Sequence, residues 1–385
     1  MHNRKWASPR AGAMHERCRR LRVRICPATI QVTLGAPGGL SLQLADVAIP
    51  RRAMARVRGA GLPRNSEHAD MLSSTVRAFS DPFEYQQCLR AADVELVVTE
   101  RGDYAADLKR MDFHELWMQR TWQSLPFVAR VRNHKTRVPV VFLADQYQAP
   151  IKVAGQKLSP GEILFPATGD EHHYRTWTET NVAMMSLAPD EFASAALTLL
   201  GRDLTAPRVT RFLRPATDSM SRLMILHKAA ADLATAAPEI FAHPEVSRAM
   251  EQALVGTMIA CLADDADLEY SARKRAYTAI IRKFEEVIEA SPDTPLYVID
   301  LCRDMGVTDR TLRLHCREHL GMSPHRYLWL RRMHLARRSL IRGAVAATTV
   351  TEIATSCGFG ELGRFAVSYR KLFGETPSAT LRRHA

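Results

Sequence analysis

The sequence has no C-x-x-C pair, no P-loop, no G-x-S-x-G and no H-E-x-x-H. It therefore lacks the phosphate cradle, the nucleophile elbow and the paired zinc ligands on which nucleotide hydrolases, serine hydrolases and zincins depend. Its cysteines (Cys18, Cys26, Cys88, Cys261, Cys302, Cys316 and Cys357) are scattered and odd in number. That pattern fits reduced, small apolar fillers in a cytoplasmic protein better than a disulfide framework. A run of about 18 apolar residues without a charge is also missing, which excludes a membrane-spanning helix. The nearest candidate, Val32 to Pro50, is interrupted by Gly35, Pro37, Gly38, Gly39 and Asp46. An arginine-rich start before an apolar stretch imitates a signal peptide only superficially.

What is present is length and positive charge. A chain of 385 residues with 46% hydrophobic content is long enough for two or three domains with their own cores. The formal charge of +12 suggests a polyanionic partner. Its distribution is uneven: about +9 over residues 1–70, about −3 over 71–275 and about +6 over 276–385. The first block is rich in Arg, Gly, Pro and Ala and shows no sustained period, so little packed structure is expected there. It reads as an extension or a misassigned start with Met71 as the natural first residue, against the alternative of a basic arm on DNA phosphates.

Beyond Met71 the texture changes. Val94–Thr99, Phe113–Met118, Val138–Leu143, Ile151–Val153, Glu162–Phe165 and Val182–Leu187 are short apolar or alternating runs between turn residues, and they predict a β-rich barrel or sandwich. From Asp190 the period becomes helical. Helices are expected at Asp190–Leu200, Thr217–Ala236 and His243–Ala263, their apolar stripes serving the core or a dimer seam. Asp264 to Arg275 is polar and reads as a boundary.

The C-terminal stretch, Pro295 to Pro377, is one helical unit written twice. Val298–Val307 lies over Val350–Phe359 with hydrophobic, acidic and glycine positions coinciding. One inserted residue later, Leu312, Cys316, Leu320, Gly321 and Pro324 fall on Phe365, Tyr369, Phe373, Gly374 and Pro377. Each copy predicts a short helix, a glycine turn at Gly306 or Gly358, and a longer helix, which is a helix-turn-helix. Thr294-Pro295, Ser323-Pro324 and Thr376-Pro377 give helix starts, as does Thr308, while Thr349 with Glu352 fits a capping box.

In the first copy Leu312 and Cys316 face inward, leaving Thr308, Asp309, Arg310, Thr311, Arg313, Leu314 and Arg317 on or near the outer side. Arg310 and Arg313 lie three apart on one face, and an arginine fork matches guanine O6 and N7 in the major groove. The second copy buries Phe365, Tyr369 and Phe373 and offers Glu361, Leu362, Gly363, Arg364, Ala366, Val367 and Ser368. Arg364 suits a base or a phosphate, and Arg370 and Lys371 suit phosphates. A long helix from Pro324 to Gly343, with Arg331, Arg332, Arg337 and Arg338, would hold the two reading helices about one DNA turn apart. The alternative for those arginines is a solvated face.

The runs Gly306–Leu312, Gly321–Pro324, Arg332–Ala336, Ile353-Ala354, Cys357–Phe359 and Phe373–Pro377 resemble the DNA-binding domain of AraC/XylS-type transcriptional regulators over roughly residues 276–382. The resemblance implies a seven-helix, two-headed reader of adjacent major grooves that recruits RNA polymerase. It also implies that Arg310, Arg313 and Leu314 face bases in the first repeat, and Gly363, Arg364, Ala366 and Val367 in the second. Members commonly carry polar residues where Gly363 stands and near Ala366, and an alanine where Cys302 stands. The first helix is therefore expected to supply most base readout and the second to hold the backbone.

The β-rich part is similar to the cupin-like effector and dimerisation domains of such regulators, through Pro160–His173. His172 and His173 should sit at a strand end, one inward and one outward, the inward one lining an effector pocket with Trp177. No upstream H-x-H accompanies them, so no metal or other cofactor is expected. The whole reads as α+β: 1–70 an extension, 71–189 a cupin-like β-barrel, 190–270 a helical dimerisation region, 276–385 an all-α double helix-turn-helix. The expected protein is a cytoplasmic, homodimeric, effector-responsive activator that binds double-stranded DNA, RNA polymerase and a small molecule, with no membrane partner. The alternatives are an effector-independent DNA-binding regulator and a cupin-type metal enzyme fused to a DNA-binding domain.

Overall fold

Side-chain alternation decides which way the β-rich half turns its strands. The computed structural model describes residues 21–25, 28–34, 40–45, 73–201, 203–263, 272–290, 296–343 and 349–383. The chain divides into two units, residues 1–67 and 68–385. In the first, β1 (Leu21–Ile25), β2 (Ala28–Leu34) and β3 (Leu40–Ala45) form an antiparallel sheet in that order. Strands therefore occur within the block whose composition led to an expectation of little packed structure. The alternating L-R-V-R-I and T-I-Q-V-T-L runs are strand signals that the surrounding Arg, Gly and Pro content obscures.

The second unit opens with β4 (Ser73–Phe79), α1 (Pro82–Gln87), β5 (Ala92–Val98), β6 (Ala106–Asp112), β7 (Trp117–Gln123) and β8 (Phe127–Asn133). It continues with β9 (Val138–Leu143), β10 (Ile151–Val153), β11 (Gln156–Leu158), β12 (Ile163–Phe165), β13 (Glu171–Arg175) and β14 (Thr180–Leu187). Next come α2 (Pro189–Leu200), β15 (Arg211–Leu213), α3 (Thr217–Ala236), α4 (Pro238–Phe241) and α5 (Pro244–Ala263). Two antiparallel sheets result, ordered β15-β12-β9-β14-β7-β6-β4 and β11-β10-β13-β8-β5. Between them Leu96, Val98, Phe127, Ala129 and Tyr174 of the smaller sheet meet Leu108, Val141, Leu143, Leu164 and Phe212 of the larger. The larger sheet's other face packs Met118, Val140, Phe142, Ile163 and Met185 against Phe192, Leu223, Leu254 and Met258 of α2, α3 and α5.

Phe113–Met118, expected as a strand, is instead the hairpin turn between β6 and β7 for its first four residues. Phe113 N–H donates to the Leu116 carbonyl (3.0 Å), and the Glu115 and Leu116 N–H groups donate to the Glu251 carboxylate of α5 at 2.7 and 2.8 Å. A tertiary acceptor satisfies backbone donors that a strand would have paired.

The remaining elements are α6 (Ala272–Glu289), α7 (Val298–Met305), α8 (Asp309–His319), α9 (Pro324–Gly343), α10 (Val350–Ser356), α11 (Leu362–Phe373) and α12 (Pro377–Arg383). Gly306 (φ +67°) and Gly358 (φ +79°) take the left-handed turn that each copy needs after its first helix. Thr308 Oγ1 accepts from the Thr311 N–H at 3.2 Å, and Thr349 with Glu352 forms the reciprocal capping box. The expected start at Thr294-Pro295 lies outside the described residues. In the second copy Leu372 is buried with Phe365 and Tyr369, while Phe373 is only partly covered.

The smaller sheet's outer face carries this all-α part. Val128 of β8 joins Ile281, Phe284, Leu301, Leu312 and Tyr327 in the core of the first copy. Val97 of β5 joins Leu330, Met333, Ile353, Phe365 and Tyr369 in the core of the second. The architecture is thus α+β, with helices, a two-sheet β domain and an all-α C-terminal domain in successive layers.

Candidate DNA interface and interdomain dock

Helix α8 separates two kinds of side chain. Leu312 and Cys316 are fully buried, and so are His315 and His319, which the sequence reading missed. On the opposite side Thr308, Arg310, Arg313, Leu314 and Arg317 are exposed, with Thr311 half-buried beneath its hydrogen bond to Thr308. Arg313 Nε lies 2.8 Å from Asp309 Oδ2, one turn earlier. The guanidinium is thereby oriented along the helix while half exposed to water. In the second copy Glu361, Gly363, Arg364, Val367, Arg370 and Lys371 are exposed, and Ala366 and Ser368 half-buried. Arg364 Nε lies 2.9 Å from Glu361 Oε2. Each reading helix therefore carries one arginine leashed by a carboxylate near its N-terminus, although the two leashes occupy different repeat positions.

The long helix α9 behaves differently from either sequence expectation. Arg331 is held by Glu95 of β5, its Nε 3.1 Å from Oε1. Arg337 bridges Asp81 and Glu375 at 2.9 and 2.8 Å. Arg332 lies over Phe359 and Arg338 over Phe83. These arginines fasten α9 to the β domain and to the second copy; they form no solvated face. His334 Nε2 adds a contact with the Val98 carbonyl at 3.1 Å.

Strand β13 supplies the other half of the dock. Its alternation sends Glu171, His173 and Arg175 outward and His172 and Tyr174 inward, as expected for one inward and one outward histidine. The outward one is nevertheless fully covered: His173 Nε2 is 3.0 Å from Oε1 of Glu285, which α6 buries completely. Burial pushes the Glu285 carboxyl up, but the hydrogen bond with His173 and the nearby Arg331 and Arg130 guanidiniums outweigh it and hold the carboxyl below the usual range. Arg130 of β8 pairs with Glu171 (2.6 Å) and with Glu289 of α6 (2.5 Å), and Arg175 donates to the Leu320 carbonyl. Among these groups the sequence offered only alternation as a signal, with nothing to say what covers that face.

His172 faces the inter-sheet core near Asp170, and neither ring nitrogen has a hydrogen-bond partner. Burial lowers its pKa to about 4. Trp177 does not join it: the indole stands in the turn after β13, 44% exposed, beneath the Arg175 guanidinium. The pairing of Trp177 with an inward histidine is thus corrected, because the strand ends before the indole reaches the interior. Among the described residues no group of three or more His, Cys, Asp or Glu is placed to hold a metal ion, and no helix is long and apolar enough to cross a membrane.

Two helix-turn-helix units on one long helix define a two-headed DNA-binding module. Residues 301–383 match the family model of a helix-turn-helix domain. A probable thc operon regulatory protein of Rhodococcus erythropolis is 37% identical over 146 residues, covering 38% of this chain and 44% of that one. A XylDLEGF operon transcriptional activator of Pseudomonas putida is 37% identical over 78 residues, covering 20% of this chain and 50% of that one. The chain therefore spans half or less of the length of these two regulators. The crystal structure of a probable AraC family transcriptional regulator from Rhodopseudomonas palustris CGA009 is 36% identical, covering 28% of this chain and 97% of that one at a TM-score of 0.25. Its C-terminal domain is a helix-turn-helix domain similar to those of AraC/XylS-type transcriptional regulators.

Proposed function

We propose that the chain is a sequence-specific, effector-responsive transcriptional activator rather than an enzyme, with α8 as its main base reader. The observation that carries this is the exposure of Arg310, Arg313 and Arg317 on one face of α8 while Leu312 and Cys316 of its other face are buried in the core of the first copy. An arginine fork on a groove guanine contributes about 1–3 kcal/mol of discrimination, whereas a phosphate contact is blind to sequence. Against single-base variants of a selected duplex, Arg313→Ala is expected to flatten base preference at one position by roughly tenfold. Arg364→Ala should do so less, and Arg370→Ala should lower affinity uniformly while reducing the salt slope by about 0.9. A salt-independent affinity, or a larger loss of preference in Arg364→Ala, contradicts this assignment.

The effector part of the proposal rests on β13. His172 presents unpartnered nitrogens to the interior of the β domain, and its chain neighbour His173 bonds to α6 of the DNA-binding part. A ligand that engages His172 acts on the strand that carries the dock. A small-molecule screen by thermal shift on the full chain should find a compound whose binding at about 100 times Kd stabilises the fold by about 2.7 kcal/mol, with the shift lost in His172→Ala. Stabilisers that act equally on His172→Ala would remove the histidine from the site. Homodimerisation through the helices of 190–270 is part of the same proposal, supported by the exposed Leu197 and Leu199 of α2. So are the division at 71–189, 190–270 and 276–385, a contact with RNA polymerase, and a cytoplasmic location.

A further inference from the structure

We infer that Leu314 and Val367 each read a pyrimidine methyl group in the major groove, so that the cognate site carries a thymine at corresponding registers of its two half-elements. The inference rests on the DNA-binding reading above and adds the base class that it recognises.

The repeat sets the equivalence. With Leu312 on Phe365, the face Arg310, Arg313, Leu314, Arg317 falls on Gly363, Ala366, Val367, Arg370. These are i, i+3, i+4 and i+7 positions, which share one side of a helix. Leu314 and Val367 occupy the same position of the two copies, and each is 55% exposed. Leu312, two residues from Leu314, is fully buried, so α8 has a core site for one leucine and holds the other in water. A single exposed aliphatic side chain is ordinary on a protein surface. Two at the same repeat position, each beside exposed arginines, need an occupant that is anionic at the rim and apolar at the floor.

The cationic rims name that occupant. Arg313 and Arg317 flank Leu314, and Arg364, Arg370 and Lys371 surround Val367. Duplex DNA supplies phosphates to such a rim, and the apolar group on its major-groove floor is the thymine C5 methyl. The second helix gains most from this reading. Gly363 and Ala366 offer no polar atoms to a base edge, and Leu362, 40% exposed, adds to the apolar surface near Val367. A helix poor in hydrogen-bonding readers still discriminates bases if its code is a methyl group. A mainly backbone-holding α11 then adds one methyl contact through Val367.

The test uses the full chain to select sites from a random duplex library, then replaces each thymine of the consensus by deoxyuridine, which removes only the methyl. Two thymines about one DNA turn apart should each lose about threefold to fivefold in affinity, the effect of unburying one methyl. Leu314→Ala should abolish the uridine sensitivity at one of them and Val367→Ala at the other, each leaving the second site sensitive. Tyr147→Ala, at an exposed side chain of the loop between β9 and β10, should change neither. Uridine neutrality at every thymine, a consensus without thymine, or sensitivity that survives both substitutions overturns the inference while leaving the DNA-binding reading intact. Failure to enrich any sequence overturns that reading as well, so the two failures are distinguishable.

Discussion

Lowering the pH from 6.5 to about 4 is expected to destabilise the folded chain by several kcal/mol. Among the described residues burial lowers five histidines: His172, His334 and His319 to about 4, His227 to about 3, and His315 in the same direction. Their neighbours modulate this. Arg337 and Arg338 press further on His334, His173 and Lys152 on His319, and Arg120 on His227, while Asp170 opposes the shift at His172. In the unfolded chain each imidazole takes up its proton near 6.5. Between that value and the depressed folded value the unfolded state binds more protons than the native state, so stability rises with pH across the window and is lost as pH falls. Each histidine contributes at most roughly 1.4 kcal/mol per pH unit. Glu285, whose carboxyl is held low, adds a second loss only below its ordinary range near 4.5. The measurement is the urea midpoint of the full chain between pH 4 and 8, read as proton uptake on unfolding. Uptake of about four to five protons across the window is expected. His227→Phe, at a fully buried site edge-on to Phe142, should remove about one of them. A midpoint that is flat from pH 7 to 5 would mean that these rings are hydrated in the folded chain.

The histidines also mark where sequence reading stops. The doubled unit was legible because its signals are local: Thr308 and Thr349 cap the helices that they should, Gly306 and Gly358 turn where the repeat demands, and α9 spans Pro324 to Gly343 as its proline and glycine limits require. The outward faces of α8 and α11 were legible for the same reason, since 3.6-residue periodicity fixes both sides of a helix once its core positions are known. The β domain was legible in kind. Strands β6 and β8 were not, because Lys109, Arg110, Arg130 and Arg132 interrupt the apolar alternation.

The dock was invisible for a physical reason. An arginine on a solvated helix and an arginine bridging two buried carboxylates have the same sequence neighbourhood, and the difference lies in Asp81 and Glu95, more than 200 residues away in the chain. Val97 and Val128 likewise look like strand residues of a sandwich, and only the tertiary structure places them in the cores of the two helix-turn-helix copies. The consequence for function is direct. The smaller sheet contributes a side chain to the core of each helix-turn-helix copy, Val128 to the first and Val97 to the second, so packing changes in the β domain reach both without a separate linker.

Replacing Arg337 by alanine should cost about 3 kcal/mol of stability. Its guanidinium is nearly buried at 9% exposure, donates to Asp81 and Glu375, and lies 4.9 Å from the Phe373 ring centroid. Removing it leaves two poorly hydrated carboxylates facing each other across the gap, and an unpaired buried charge costs more than the pair had contributed. Both acids keep some support, which places the loss near the lower end of the usual range. Asp81 still accepts the Phe83 and Glu84 N–H groups at the start of α1, and Glu375 still meets Arg383 at 2.7 Å. Arg337→Met separates charge from packing, because the methionine stem retains contact with Phe373 while both carboxylates lose their cation. It should recover less than half of the loss. Arg337→Lys, whose single ammonium cannot span both acids in the fork geometry of a guanidinium, should fall between the two. A double-mutant cycle with Asp81→Asn in urea unfolding assigns the cross-domain share, expected at about 1–3 kcal/mol of coupling. Coupling near zero would mean that the β domain holds α9 through Val97 and its apolar surroundings alone, and that the bridge at Arg337 serves only the second helix-turn-helix through Glu375.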